Sequence, residues 1–219
     1  MIRVDNLTRE FMRNGKEFDA VHHVSLGVKK GEFVAITGHS GSGKTTLFNM
    51  IAGLINPTEG EIYIDGSKIT EMGENEKAIF RNQNMGYVLQ GQSLLNNFTI
   101  LDNVCMPAYL SSETTGFRER ALELLKRIGL EELANEYPMN LSGGEVRRVA
   151  IIRAMINNPK VILADEPTSN LDPENSHKVM QMLRDISATG TTVILSTHEL
   201  EYLSYVDNVY RMERGNLKI

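Results

Sequence analysis

The sequence predicts an α/β fold: a mostly parallel sheet, buried on both faces, that carries a helical insertion. Three observations predict it. FVAIT, VILAD and VILST are nearly continuous apolar runs of strand length, the pattern of strands covered on both sides. Strand-like runs alternate with helical patterns over most of the chain, the order found in α/β proteins. From about residue 97 to residue 158 that alternation stops, and the text is mainly helical with no convincing strand.

In chain order, IRVDNL, GEFVAIT, GEIYID, MGYVL, KVILADE, TTVILST and VDNVYRM read as strands. Helices are expected over 44–52, 75–83, 118–128, 143–157, 174–188 and 199–204. Strands dominate up to about Leu89, and strand and helix alternate again after Asn158. The expected organisation is one domain over 1–219, with an α/β core in 1–96 and 159–219 and a helical subdomain in 97–158. The tail RMERGNLKI reads as a final hairpin. Met180 and Met182 lie two residues apart, so one of them at most fits the core stripe of a helix. There is no internal repeat, low-complexity tract or long linker.

Composition bounds the function classes. With 219 residues the chain can bury a sizeable core. It is 41% hydrophobic and 23% charged, so neither disordered nor fibrous. The net charge of -5 argues against a generic nucleic-acid binder, and no nucleic-acid partner is expected. The single cysteine, Cys105, excludes an internal disulfide and suits a reducing compartment. In DNVCMPAYL it reads as a small packing residue, since no base lies nearby in sequence. No run approaches the ~18 apolar residues of a membrane span, and MIRVDNLTRE carries no signal-peptide pattern. A soluble chain is expected, though such a chain can still dock on a membrane protein.

Gly38-His39-Ser40-Gly41-Ser42-Gly43-Lys44-Thr45 fits GxxxxGK[ST]. It follows the strand FVAIT and opens the helix KTTLFNMIA, as the motif requires. Glycines let backbone N–H groups turn inward around an anion, and the helix N-terminus adds partial positive charge. Lys44 can reach the β- and γ-phosphates, and the Thr45 hydroxyl can ligate Mg²⁺.

VILADEPTSNLD ends an apolar strand in Asp165 and Glu166. Two carboxylates there are costly unless a cation is present. Asp165 suits Mg²⁺, directly or through water. Strand alternation turns the next residue the other way, so Glu166 is the expected general base or water-orienting group. His198 ends the strand of VILSTHEL and can hydrogen-bond the γ-phosphate or the attacking water. Gln90, after MGYVL, can reach both Mg²⁺ and water. His22, His23, His39 and His177 lack a comparable pattern.

LSGGEVRRVAIIRA begins a helix at which two glycines, Gly143 and Gly144, cost roughly 1 kcal/mol each relative to alanine. Ser142 with Glu145 is a capping box, and Leu141 with Val146 stands at the staple positions. A cap needs neither glycine. A hydroxyl, two bare amides and a helix dipole make a second anion site.

Together these motifs resemble the ATP-binding cassette (ABC) ATPases. GHSGSGKTT is similar to the Walker A loop, VILADE to Walker B, LSGGE to the family signature, SNLD to the D-loop, and STHEL to the switch-histidine segment. Gln90 falls at the Q-loop position and Phe11 at the place of the adenine-stacking aromatic residue. The resemblance covers essentially the whole chain. It implies a P-loop NTPase (RecA-like) core with an N-terminal antiparallel β subdomain and an α-helical insertion. It implies ATP and Mg²⁺ as ligands. Phe11, Gly38, Ser40, Gly41, Ser42, Gly43, Lys44, Thr45 and Thr46 would hold the chain's own nucleotide. Ser142, Gly143, Gly144 and Asp172 would serve that of a second copy, because cassettes of this family pair head to tail around two ATP molecules. Thr45, Gln90 and Asp165 would hold the metal, and Glu166, His198 and Gln90 would serve catalysis. The implied partner is an integral membrane permease, reached from the cytoplasmic face of the membrane.

Several positions depart from the usual pattern. Glu145 stands where many members have Gln, Val146 and Arg147 replace a polar pair, Phe11 replaces Tyr, and Ser169 stands where Gly is frequent. None removes a required group, so an active ATPase is expected. LADEPTSNLD and VLQGQSLLNNFTILDNV look most like a bacterial subgroup of lipoprotein-release, macrolide-efflux, antimicrobial-peptide-resistance and cell-division ATPases. Gln92 and Ser93 depart from the aromatic residue often found nearby. An alternative is a non-transport ABC ATPase acting on DNA or ribosomes, but that class usually carries a long coiled-coil insertion or two cassettes in one chain. A P-loop kinase is the third class, and LSGGE followed by VILADE argues against it.

Overall fold

A computed structural model describes residues 1–13, 15–91, 94–111 and 115–218, without the side chains of Arg13 and Lys16. The elements run β1 (Ile2–Arg13), β2 (Lys16–Val28), β3 (Phe33–Thr37), α1 (Lys44–Ile51), β4 (Glu59–Ile64), β5 (Ser67–Lys68), α2 (Glu74–Asn84), β6 (Met85–Val88), α3 (Ile100–Tyr109), α4 (Phe117–Arg127), α5 (Gly143–Met155), β7 (Val161–Asp165), α6 (Pro173–Ala188), β8 (Thr192–Thr197), β9 (Asn208–Glu213) and β10 (Asn216–Lys218). Strands β9, β3, β8, β7 and β6 form a parallel sheet in that order, with β10 antiparallel on its edge. A second, antiparallel sheet has the order β2-β1-β4-β5.

The pleat of the central strands explains their unbroken apolar text. Phe33 and Ala35, Ile162 and Ala164, and Val193 and Leu195 enter one core with residues of α3, α4, α5 and α6. Their neighbours Val34 and Ile36, Val161 and Leu163, and Ile194 enter a second core with α1 and the antiparallel sheet. Every residue of β3, β7 and β8 is therefore buried. Their parallel register places Thr37, Asp165 and Thr197 at one edge of the sheet.

Four expectations need correction. The first strand runs on to Arg13, and β2 pairs with it although no strand was expected there. The buried residues of β2 are Val21, Val24, Leu26 and Val28. The three-residue step from Val21 to Val24 breaks the alternation, where His23 takes φ 47°, and this hides the strand. Helix α3 has no counterpart among the expected helices, because Pro107 lies inside it. Thr99 caps it, its Oγ1 accepting from Asp102 N at 3.1 Å. Residues 200–205 form a 3₁₀ helix, not an α-helix. Helix α5 ends at Met155, two residues early. The tail hairpin is present as β9 and β10, turned at Arg214 (φ 47°) and Gly215 (φ 80°). Met180 is buried and Met182 is half-buried.

Candidate functional site

The loop after β3 wraps the N-terminus of α1. Gly43 takes φ 107°, and a side chain there would run into the Ala20 carbonyl of β2. Gly215 N donates to Ser42 O at 3.0 Å, while His22 N donates to Gly215 O at 2.8 Å. The loop is thus held by β2 and by the β9–β10 turn together. Lys44 is buried, and its Nζ donates to Gly38 O at 2.7 Å and His39 O at 3.2 Å.

Asp165 is 2% exposed. Its Oδ2 accepts from Thr45 Oγ1 at 2.8 Å, and its Oδ1 accepts from Ser196 Oγ. Among the described residues, no cation pairs with this buried carboxylate. Such a group is costly by itself. An aspartate and a threonine hydroxyl side by side therefore make a donor set that fits a hard divalent cation.

Glu166 departs from the expected geometry. It does not face away by strand alternation, since β7 ends at Asp165 and Glu166 takes the left-handed φ of 47°. That conformation is strained for a non-glycine residue by about 1 kcal/mol or more. Its N–H donates to Ser196 Oγ at 3.0 Å and to Ser196 O at 3.1 Å, which holds the turn. The carboxylate then meets three groups: Gln90 Nε2 donates to Oε2 at 2.8 Å, and Lys44 Nζ and His198 Nδ1 each lie 3.6 Å from Oε1.

These groups line one cleft of about 670 Å³, together with Phe11, Ser40, Gly41, Gly43, Thr45 and Thr46. The Phe11 ring stacks against Phe18 at 6.1 Å, with the Arg9 guanidinium 4.8 Å from its centroid. The lining also includes Asp19, Ala20, His39, Arg214 and Gly215, which sequence reasoning missed apart from naming His39 as lacking a pattern. The XRG turn of the tail hairpin was the available signal for Arg214 and Gly215. Gly38 and Ser42 lie outside this lining. A side chain at Gly38 would strike Met212 O and Ser42 Oγ, so that glycine closes the loop onto β9. Ser42 Oγ is buried and has no partner among the described residues.

Ser142, Gly143, Gly144 and Asp172 do not line the cleft either. The capping box is present: Ser142 N and Oγ donate to Glu145 Oε2 at 2.7 and 2.6 Å, and Glu145 N donates to Ser142 Oγ at 3.4 Å. These hydrogen bonds hold the Glu145 carboxyl below its usual pKa. Gly143 is exposed, with Leu171 at 3.7 Å as the nearest atom to an added Cβ. Gly144 is buried, and Asn175 fills the space beside it. A side chain at Gly144 is therefore excluded by packing within its own chain, a requirement that the helix cap alone did not explain. Asp172 caps α6, accepting from Asn175 N at 2.9 Å and Asn175 Nδ2 at 2.6 Å. Gln92 and Ser93 lie outside the described residues.

Comparison with known proteins agrees with this arrangement. Residues 21–169 match the family model described as ABC transporter. An uncharacterized ABC transporter ATP-binding protein of Methanocaldococcus jannaschii is 40% identical over 99% of this chain and 97% of its own. The lipoprotein-releasing system ATP-binding protein LolD of Buchnera aphidicola subsp. Schizaphis graminum is 37% identical over 97% of this chain and 93% of its own. Among solved structures, the ATP-binding cassette MJ0796, a dimer in a post-hydrolysis state bound to ADP and Pi, superposes with TM-score 0.92 at 38% identity, covering 100% of this chain and 97% of that one. A nucleotide-free cassette from an ABC transporter gives TM-score 0.86 at 27% identity, covering 100% of this chain and 90% of that one. The chain belongs to the ABC transporter family, as one of its ATP-binding ATPase subunits.

Proposed function

We propose that the chain binds Mg-ATP in this cleft, closes on it as a head-to-tail dimer with a second copy, and drives an integral membrane permease. One observation carries the reading. The cleft gathers Lys44, Thr45 and the Gln90–Glu166–His198 cluster, with buried Asp165 outside the lining but hydrogen-bonded to Thr45, whereas Ser142 and Gly143 lie exposed outside it. Half of the phosphate chemistry thus faces the chain's own cleft and half faces outward.

In this reading adenine stacks on Phe11, which lines the cleft beside Phe18. The amides of the loop around Ser40, Gly41 and Gly43 take the phosphates, and Lys44 exchanges its two carbonyl acceptors for phosphate oxygens. Ser42, Thr46 and Gly38 complete or shape the loop. Thr45, Asp165 and Gln90 would hold Mg²⁺, which when bound neutralises charge on the phosphates. Glu166 accepts a proton from, or orients, the attacking water. Gln90 donates to Glu166 Oε2 and so fixes its second oxygen toward the cleft. His198, 3.6 Å from Oε1, would donate to the γ-phosphate.

Ser142, Gly143 and the first amides of α5 bind the nucleotide of the partner copy, with Gly144 and Asp172 shaping that surface. The neighbour solved as a dimer with ADP and Pi supports this arrangement. Residues 97–158, which contain α3, α4 and α5, form a helical subdomain that carries the closing motion. Similarity to LolD supports a place in the lipoprotein-release subgroup, and therefore on the cytoplasmic face of a membrane through the permease. No helix among the described residues is long and apolar enough to cross a membrane itself.

The test is the solution mass of Glu166→Gln with and without Mg-ATP. The expected result is an ATP-dependent dimer that Ser142→Ala abolishes. A dimer indifferent to ATP, or one that Ser142→Ala leaves intact, would overturn the head-to-tail reading.

A further inference from the structure

Arg147 lies in α5, two residues beyond the capping-box Glu145, and is not among the residues that line the nucleotide cleft. It is 5% exposed. Its Nη1 donates to the Leu89 carbonyl at 3.0 Å, and that is its acceptor among the described residues. A buried guanidinium on a neutral acceptor is costly. Simple helix–strand packing does not require it, since Leu or Met would fill the same volume.

The Leu89 oxygen belongs to the peptide plane that also carries the Gln90 nitrogen. Holding one therefore orients the other. Gln90 in turn donates to Glu166 at 2.8 Å. Helix α5 also touches strand β6 itself, where a side chain on Gly86 would overlap the Ala154 carbonyl. From Arg147 to Ala154 is about 10 Å of helix, and from Leu89 back to Gly86 is about 10 Å of strand. The two attachments match in spacing, so α5 is tied both to β6 and to the residue that follows it. The N-terminus of α5, at Ser142 and Gly143, is about 7 Å from Arg147 along the axis.

We propose that Arg147 is a positioning residue that couples the two nucleotide sites of the dimer. A displacement of the α5 N-terminus by the partner's nucleotide is passed through the Arg147–Leu89 bond to Gln90, and so to Glu166 in the chain's own site. This inference rests on the head-to-tail reading above.

The experiment compares wild type, Arg147→Met and Arg147→Lys for ATP turnover against ATP concentration, with binding of a fluorescent ATP analogue to the monomer as a control. Arg147→Met removes the donor at constant bulk. It should bind the analogue as wild type does, lose about tenfold in kcat, and show a Hill coefficient reduced to one. Arg147→Lys, which can still donate to Leu89, should recover most of the cooperativity. Should Arg147→Met fail to fold, Arg147→Gln, too short to reach Leu89, serves in its place. Equal Hill coefficients in wild type and the donor-less variant would overturn the inference. If Glu166→Gln forms no ATP-dependent dimer, the head-to-tail reading fails and takes this inference with it. If that dimer forms and the Hill coefficients are equal, the Arg147 inference alone fails.

Discussion

The Asn175 side chain, in the first turn of α6, fills the space beside the Gly144 backbone that a Cβ would need. Asn175 is fixed there by Asp172 and by Arg148 Nη1, which donates to its Oδ1 at 3.2 Å. The two glycines of LSGGE therefore serve different ends, and substitution can separate them. Gly144→Ala overpacks a fixed contact, at a cost of about 1–3 kcal/mol, and should lower the melting temperature of the isolated chain. Gly143→Ala meets only an ordinary van der Waals contact with Leu171 and should melt with the wild type, while weakening the ATP-driven dimer. Thermal unfolding together with solution mass checks both. Equal melting temperatures for the two variants would remove the packing role of Gly144.

Lys44 and Glu166 face each other at 3.6 Å, nearly buried. Lys44→Ala should lose most ATP affinity, because no other side-chain cation in the loop replaces the lost charge-assisted bonds. Calorimetric titration with ATP reads this directly, and near-normal affinity would count against the cradle.

Glu166→Gln keeps an acceptor for Gln90 and loses only the basic carboxylate. The chain should fold and bind ATP, with turnover falling by about 10²–10⁴. Single-turnover hydrolysis checks it; a rate near wild type would remove Glu166 from proton transfer.

How far the text could be read follows from physical periodicity. Strands β3, β7 and β8 were legible because burial on both faces leaves them apolar at every position. The phosphate loop was legible because its chemistry is local, compressed into Gly38 to Thr46. Strand β2 was not, because the left-handed His23 shifts its inward positions by one. The cleft wall formed by Asp19, Ala20, Arg214 and Gly215 was hidden for another reason. It joins segments nearly 200 residues apart, and no short motif records that meeting. The roles of Asn175 and Arg147 are likewise tertiary, since each depends on which helix or strand end lies opposite.

Glu145 adds a pH dependence to the α5 cap. Its carboxylate accepts from Ser142 Oγ and Ser142 N, and these bonds lower its folded pKa. A folded pKa below the unfolded one binds protons more weakly in the native state. The stabilisation is therefore complete above the unfolded value of about 4.3, and it is lost as pH falls through the lower folded value. Glu145→Gln retains an amide oxygen that can accept one of these bonds, but it cannot titrate. Between about pH 5 and pH 3 the wild type should thus lose more melting temperature than the variant, whereas at pH 7 the charged cap should make the wild type the more stable of the two. Parallel melting curves across that window would mean that the carboxylate is not held by the cap in solution. The α5 N-terminus would then be free of the fixed negative charge that turns back onto its own helix and leaves the outward amides open to an anion.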